Sequence, residues 1–87
     1  MSNLLTTLEQ DGIVEKGMYS YAMEMDTGKT YLVIRKGKYG VISRKGKLLI
    51  GCKYESISQE SDGTYKCIGL SNKFFYTDIY NSKFKLV

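Results

Sequence analysis

The spacing of hydrophobic positions along the chain changes near Gly12. Before that glycine, Leu4, Leu5 and Leu8 recur at helical spacing, and Ser2 is of a residue type that caps helix N-termini. A glycine just past the last such residue commonly ends a helix. We therefore predict a short N-terminal helix that packs on the rest of the fold, because a helix this short is unstable alone.

Beyond Gly12, apolar and polar residues alternate with a period of two, which is typical of β-strands. The first such segment places Tyr19, Tyr21, Met23 and Met25 on one face, and we expect Met18, Met23 and Met25 to contribute to the core of the sheet. Further segments typical of strands lie at 31–34, 39–42, 48–50, 65–68, 74–76 and 84–87. Gly51 is expected to break or bulge the strand that begins at residue 48.

Short polar segments, most of them with a glycine, separate these strands and predict turns. They lie at 26–29, 36–38, 44–47, 61–63, 71–73 and 80–82. Turns about ten residues apart join consecutive strands as antiparallel neighbours. The sequence therefore predicts a mainly β protein, a small antiparallel meander or partly closed barrel of six or seven strands with one short N-terminal helix.

The composition excludes several classes of protein. The 87 residues suffice for one core, so a single domain over residues 1–87 is expected. There is no histidine, which removes the commonest general base and the commonest metal ligand, and two cysteines alone do not complete a four-ligand zinc site. We therefore expect neither an enzyme nor a bound cofactor or metal.

The N-terminus and the two cysteines bear on localisation. The first residues lack the basic and apolar regions of a signal peptide, and no apolar run approaches the roughly 18 residues that span a membrane. We expect a cytoplasmic protein without membrane association, in which Cys52 and Cys67 are reduced thiols. Cys67 is expected in the core, whereas Cys52, beside Lys53, is the one candidate nucleophile and has no histidine to activate it.

Residues 37–57 carry a motif: Gly-Lys-Tyr-Gly, a Lys-Gly-Lys turn, an apolar strand and then Lys-Tyr-Glu. This stretch resembles one WG repeat, with Tyr39 where that family has Trp or Tyr and Gly40 as its companion glycine. Gly51 and Cys52 occupy the place where such repeats often carry proline. The resemblance implies a β repeat that serves as a structural and protein-interaction unit without a shared activity.

Weaker echoes of the repeat lie at 19–36 and 65–87. In particular, the segment 31–34 matches 65–68 at an offset of 34 residues, and Lys38-Tyr39 matches Lys73-Phe74 at 35. We therefore expect the two halves of the chain to form similar hairpins.

The motif also has physical content of its own. Gly40 is expected to leave bare backbone over which a ring from a neighbouring strand lies, and Gly46 supplies the positive φ of a tight turn. Tyr39 and Tyr54 are expected to be core rings with their hydroxyls at the rim.

Charge is segregated along the chain. Residues 27–54 contain eight cations and no carboxylate, whereas the rest contains five cations and nine anions. Two Lys/Arg-rich hairpin tips can together form a positive patch that attracts an acidic protein surface or phosphate groups, and solvated turn residues are the ordinary alternative. The candidate binding residues are Arg35, Lys36, Lys38, Arg44, Lys45, Lys47 and Lys53.

Three consecutive aromatic residues, Phe74, Phe75 and Tyr76, form the most aromatic segment. We expect one ring in the core and one half-covered, and the alternative is a platform on which bases stack.

These features together favour a non-enzymatic binding module. The preferred hypothesis is a protein–protein interaction or inhibitor protein, of phage or mobile-element type, whose partner has an acidic surface. The alternative is nucleic-acid or nucleotide binding through the same basic hairpins.

Overall fold

A computed structural model of the chain describes residues 4–25 and 29–87. Within that range one helix is followed by seven strands, so the expected mainly β fold is confirmed. The elements are α1 (Leu4–Gln10), β1 (Tyr21–Met25), β2 (Thr30–Arg35), β3 (Lys38–Ser43), β4 (Leu48–Tyr54), β5 (Ser56–Gln59), β6 (Tyr65–Ser71) and β7 (Phe74–Tyr80). The expected cap at Ser2 and most of the turn at 26–29 lie outside the described residues.

The strands form two antiparallel sheets in chain order. The first sheet is β1-β2-β3-β4 and the second is β5-β6-β7. Each strand pairs with its neighbour in sequence through a turn, which is the expected meander, but the chain passes from one sheet to the other at Glu55. The described part of the chain therefore forms two stacked sheets and no closed barrel.

The first sheet is buried on both faces, which explains why β2 and β3 are so apolar. One face, called the helix-side face, carries Val33 and Ile42 against Leu8 of α1. The opposite face carries Leu32 and Val41 and packs on the second sheet. The inner face of the second sheet contributes Ile57, Tyr65 and Cys67 to this second core.

The two halves of the chain repeat one design. The hairpins β2–β3 and β6–β7 each follow an antiparallel partner strand, and each places a tyrosine and a smaller residue in a core: Tyr31 and Val33 in the first, Tyr65 and Cys67 in the second. In the first half this face packs on α1, and in the second half it packs on the first sheet. Each sheet therefore buries one face against the element that precedes it.

The glycine of the motif has a different role from the one expected. The β3–β4 register shifts between the pairs Tyr39–Tyr54 and Val41–Ile50, so the predicted bulge at Gly51 is confirmed. A Cβ on Gly40 would lie 2.5 Å from Cys52 Sγ and 2.8 Å from the Ile50 carbonyl oxygen, so β4, and not a ring, covers this glycine. The register shift leaves residues 51–53 of β4 opposite Gly40, where the β4 backbone lies against the glycine.

A ring does lie over bare backbone elsewhere, at Gly69 in the second sheet. Tyr76, directly opposite on β7, places its ring where a Cβ on Gly69 would be. The expected arrangement of glycine and ring therefore occurs in the second half of the chain.

The Tyr54 hydroxyl also differs from its expected place at the rim. Tyr54 is fully buried. Its hydroxyl donates a hydrogen bond to Asp78 Oδ2 at 2.7 Å and contacts the Tyr80 hydroxyl at 2.8 Å. Burial and these hydrogen bonds raise the Tyr54 pKa. The Tyr54 hydroxyl therefore joins the two sheets, while the cross-strand partner Tyr39 is half-buried.

The core expected from Met18, Met23 and Met25 is confirmed only in part. Ala22 is buried, whereas Tyr21 and Met23 are 48% and 42% exposed. Because β1 is an edge strand, α1 and its following loop cover only the face that carries Ala22. Met18 and Met25 are half-buried against the two cores, as expected.

Candidate interaction site

The candidate cations divide into two groups at opposite ends of the first sheet. The turn at Lys36 and Gly37 joins β2 to β3, whereas the turn at 44–47 joins β3 to β4. β3 has six residues, so the turns lie about 20 Å apart at the usual rise of a strand. The two tips therefore do not form one patch.

Each group has its own members. Arg35, Lys36, Lys38 and Lys53 lie at the end where β2 and β4 finish. Arg44, Lys45 and Lys47 lie in the far turn, residues 43–47.

An open cleft of about 550 Å³ lies beside the first group, and we call it the basic cleft. Arg35 and Lys38 are cross-strand partners, so their side chains share the helix-side face, where Cys52 also packs. The residues that line the cleft are Tyr19, Arg35, Lys36, Lys38, Leu48 and Cys52. A cationic rim thus surrounds a partly apolar floor.

The rim keeps most of its positive charge. Over residues 4–25 and 29–87 the one ion pair joins Lys38 to Glu55, so Arg35 and Lys36 have no carboxylate partner there. Burial raises the pKa of Tyr19 and of Cys52, and the positive charge of nearby Arg35 partly offsets this rise in both groups. The cleft therefore suits a carboxylate or a phosphate group.

The far turn is built as an ordinary solvated hairpin connection. Ser43 Oγ accepts hydrogen bonds from the backbone N–H groups of Lys45 and Lys47, at 3.2 and 3.0 Å. Gly46 has a φ of 92°, as expected, and a Cβ added at this position would collide with the Ile13 carbonyl oxygen. The cationic side chains are exposed, so the far turn favours the solvated interpretation.

The aromatic segment on β7 is far more exposed than expected. Phe74 and Phe75 are 76% and 72% exposed, and Tyr76 is 36% exposed. The prediction of one core ring was wrong because β7 is an edge strand whose turn end extends beyond the first sheet's cover. The aromatic pattern predicted an exposed platform only as the alternative, and no pattern in the sequence indicated Tyr19 or Leu48 beside the cleft.

The cysteines are free thiols and poor nucleophiles. Burial raises the pKa of the Cys52 thiol, and Arg35 only partly offsets it. Burial, with the Asp78 carboxylate nearby, raises the Cys67 pKa to about 11. Both thiols therefore stay protonated near neutral pH.

Cys67 makes stability depend on alkaline pH. Because its pKa rises from 9.0 to about 11 on folding, the folded chain holds the proton more tightly, and the stabilisation present below pH 9 is lost as pH approaches 11. We expect the free energy of unfolding, measured in urea, to fall more steeply over this interval in the wild type than in Cys67→Ala. Equal pH dependence of the two proteins would contradict this assignment.

Metal binding and membrane crossing are the two remaining classes of site. In the described part of the chain, no three or more Cys, Asp or Glu side chains gather where they would hold a metal ion. The described helix is too short to cross a bilayer.

Comparison of the chain with protein-family models, curated proteins and solved structures gave no match. The likeness of residues 37–57 to a WG repeat therefore stays a resemblance, and an argument about function rests on the geometry.

Proposed function

We propose that this chain is a non-enzymatic binding module that holds a protein partner through the basic cleft. One observation carries the proposal. Arg35 and Lys36 lie beside a partly apolar cleft, and no carboxylate of residues 4–25 and 29–87 forms an ion pair with either cation. An acidic side chain of a partner would gain charge-assisted hydrogen bonds from the rim, and its aliphatic stem would contact Leu48.

The spacing of the cations favours a protein over a nucleic acid. A phosphate backbone is bound by a row of cations along a face, each of which displaces a counterion. Here the candidate cations form two groups about 20 Å apart, on either end of β3. A compact cationic rim fits one or two carboxylates better than a nucleic-acid strand, which makes nucleic-acid or nucleotide binding the second candidate.

The cellular role extends this proposal. An inhibitor that blocks a bacterial protein, of the kind encoded by phages or mobile elements, needs only a binding surface, and the protonated thiols and the absence of histidine fit that role. We place it in the cytoplasm, where both cysteines remain reduced.

A charge-reversal experiment tests the cleft. Tagged wild-type protein first captures partners from lysate treated with nuclease, and the identified partner is then purified for binding assays. We expect Arg35→Glu with Lys36→Glu to weaken binding by about a hundredfold, because two favourable charge contacts become repulsive. The matched control, Arg44→Glu with Lys45→Glu in the far turn, should change affinity by no more than about threefold.

Salt dependence separates the two candidate partners. A protein contact with a few central residues should tolerate moderate salt, whereas phosphate contacts should weaken steeply as salt rises. Capture of only nuclease-sensitive material would favour the second candidate. Equal losses for the cleft variant and the far-turn variant would contradict a specific role for the cleft.

A further inference from the structure

Two turns of the chain share both their backbone hydrogen bonds and the hydrogen bonds of their first side chain. In the far turn Ser43 N–H donates to the Lys47 carbonyl at 2.8 Å, and in the turn at 81–85 Asn81 N–H donates to the Lys85 carbonyl at 2.9 Å. Asn81 Oδ1 accepts from the N–H groups of Lys83 and Lys85, as Ser43 Oγ does from Lys45 and Lys47. The two turns are therefore equivalent in the repeated design.

The strands that follow these turns differ in how far they pair. After the first turn, β4 pairs with β3 from Ile42 back to Tyr39. After the second, Leu86 pairs with Tyr80, and Val87 N–H donates to the Ile79 carbonyl at 2.8 Å. Within residues 4–25 and 29–87, no strand pairs with the segment 74–78 of β7 along the edge that faces away from β6, although β4 occupies the equivalent edge of β3.

The open edge presents a defined set of backbone groups. Because the Ile79 carbonyl points toward Val87 and a strand alternates with a period of two, Phe75 and Thr77 point their N–H and C=O groups the same way, away from β6. Within residues 4–25 and 29–87 these groups have no hydrogen-bond partner. The backbone N–H and C=O groups of Phe75 and Thr77 are thus available for hydrogen bonds to an added strand.

The surface beside the edge is apolar and flanked by cations. Phe75 lies opposite Leu70 on the outer face of the second sheet, and the two are 72% and 45% exposed. The one carboxylate of residues 65–87, Asp78, accepts a hydrogen bond from Tyr54. The cations of this stretch are all exposed: Lys66, Lys73, Lys83 and Lys85.

We propose that the open edge of β7, residues 74–78, binds an extended segment of another protein as an added antiparallel strand. The bound segment exchanges backbone hydrogen bonds with Phe75 and Thr77 and covers Leu70 and Phe75 with apolar side chains. Its flanks carry carboxylates, which complement the surrounding lysines. The basic cleft lies on the first sheet and takes no part, so this surface is a second, independent contact.

Synthetic peptides test the proposal directly. The probe is a short peptide of alternating Val and Thr with Glu residues at both ends, and its control carries Lys residues in their place. We expect the acidic peptide to bind more tightly than the basic one and to slow amide exchange of Phe75 and Thr77, as measured by NMR. No protection at these two amides, or equal binding of both peptides, would overturn the proposal.

A proline substitution isolates the backbone contact. The Thr77 N–H points away from β6, so Thr77→Pro removes an edge donor without breaking the β6–β7 ladder. We expect the acidic peptide to bind Thr77→Pro about tenfold more weakly than the matched control, Thr77→Ala, which keeps the N–H. Equal affinities would contradict strand addition.

Three further measurements keep the test decisive. If Thr77→Pro does not fold, the wild-type protein is tested with an acidic peptide whose alternate residues are N-methylated and therefore lack the backbone N–H donors. Undiminished binding of that peptide would overturn the proposal. Concentration-dependent protection of Phe75 and Thr77 without peptide would assign the edge to a second copy of the chain and also overturn it. Arg35→Glu with Lys36→Glu should leave the protection of the Phe75 and Thr77 amides by the peptide unchanged, so the failure of one site is distinguishable from failure of the other.

Discussion

Replacing Gly46 with alanine is expected to lower the free energy of unfolding by about 3 kcal/mol or more. Gly46 has a φ of 92°, which side chains disfavour, and the Ile13 carbonyl oxygen occupies the place where the new Cβ would lie. Ile13 cannot retreat easily, because its N–H donates to the Leu8 carbonyl at 3.0 Å and Leu8 is buried under the sheet. The substitution therefore strains the turn and displaces the segment after α1.

Gly63 provides the matched control for this effect. It lies in a turn with the same backbone hydrogen bonds, its φ is 87°, and nothing lies within 4 Å of its added Cβ. Gly63→Ala therefore carries the conformational strain alone, about 1 kcal/mol. Urea unfolding of both variants measures the difference, and equal losses would show that the contact with Ile13 contributes nothing.

The strands and turns were predictable because local patterns specify them. The alternation at 31–34 and 39–42, with a Lys-Gly turn between, sufficed to place β2 and β3 and their hairpin. The positive φ of Gly46 and the bulge at Gly51 also followed from residue type. These features depend on a few neighbouring residues, so the sequence alone is enough to predict them.

Exposure was harder to predict because it depends on which strands meet. Phe74 and Phe75 have the composition of a core strand, yet they are exposed since no strand or helix of the described structure covers the end of β7. Conversely, Ala22 is buried while its larger neighbour Met23 is exposed, because α1 packs on the face of β1 that carries Ala22. Neither outcome is encoded in the alternation itself.

The division of the basic residues had a signal in the sequence. Successive turns of a meander lie at opposite ends of a sheet, so Lys36 and Lys45, in consecutive turns, had to separate. The cleft beside Arg35 had no such signal. It requires Tyr19, from the loop before β1, and Leu48, from β4, to meet across the sheet.

The second large effect is expected at Gly40, where alanine should lower the free energy of unfolding by about 2–3 kcal/mol. The new Cβ would lie 2.5 Å from Cys52 Sγ, 2.8 Å from the Ile50 carbonyl oxygen and 3.0 Å from the Cys52 nitrogen. The thiol can rotate away, but the other two atoms belong to the β4 backbone. Relief therefore requires β4 to separate from β3 beside the bulge.

Gly51, the neighbouring glycine on β4, separates this crowding from a general effect of glycine replacement. It has open space around its Cβ position and no positive φ, so Gly51→Ala should change stability by no more than about 0.5 kcal/mol. Adding Cys52→Ala to Gly40→Ala should restore only part of the loss, since the backbone contacts with Ile50 and Cys52 remain. Urea unfolding of these variants gives the comparison. Full recovery in the double variant would mean that the thiol alone requires glycine at position 40, and the close approach of the β4 backbone would then not explain the glycine that follows Tyr39.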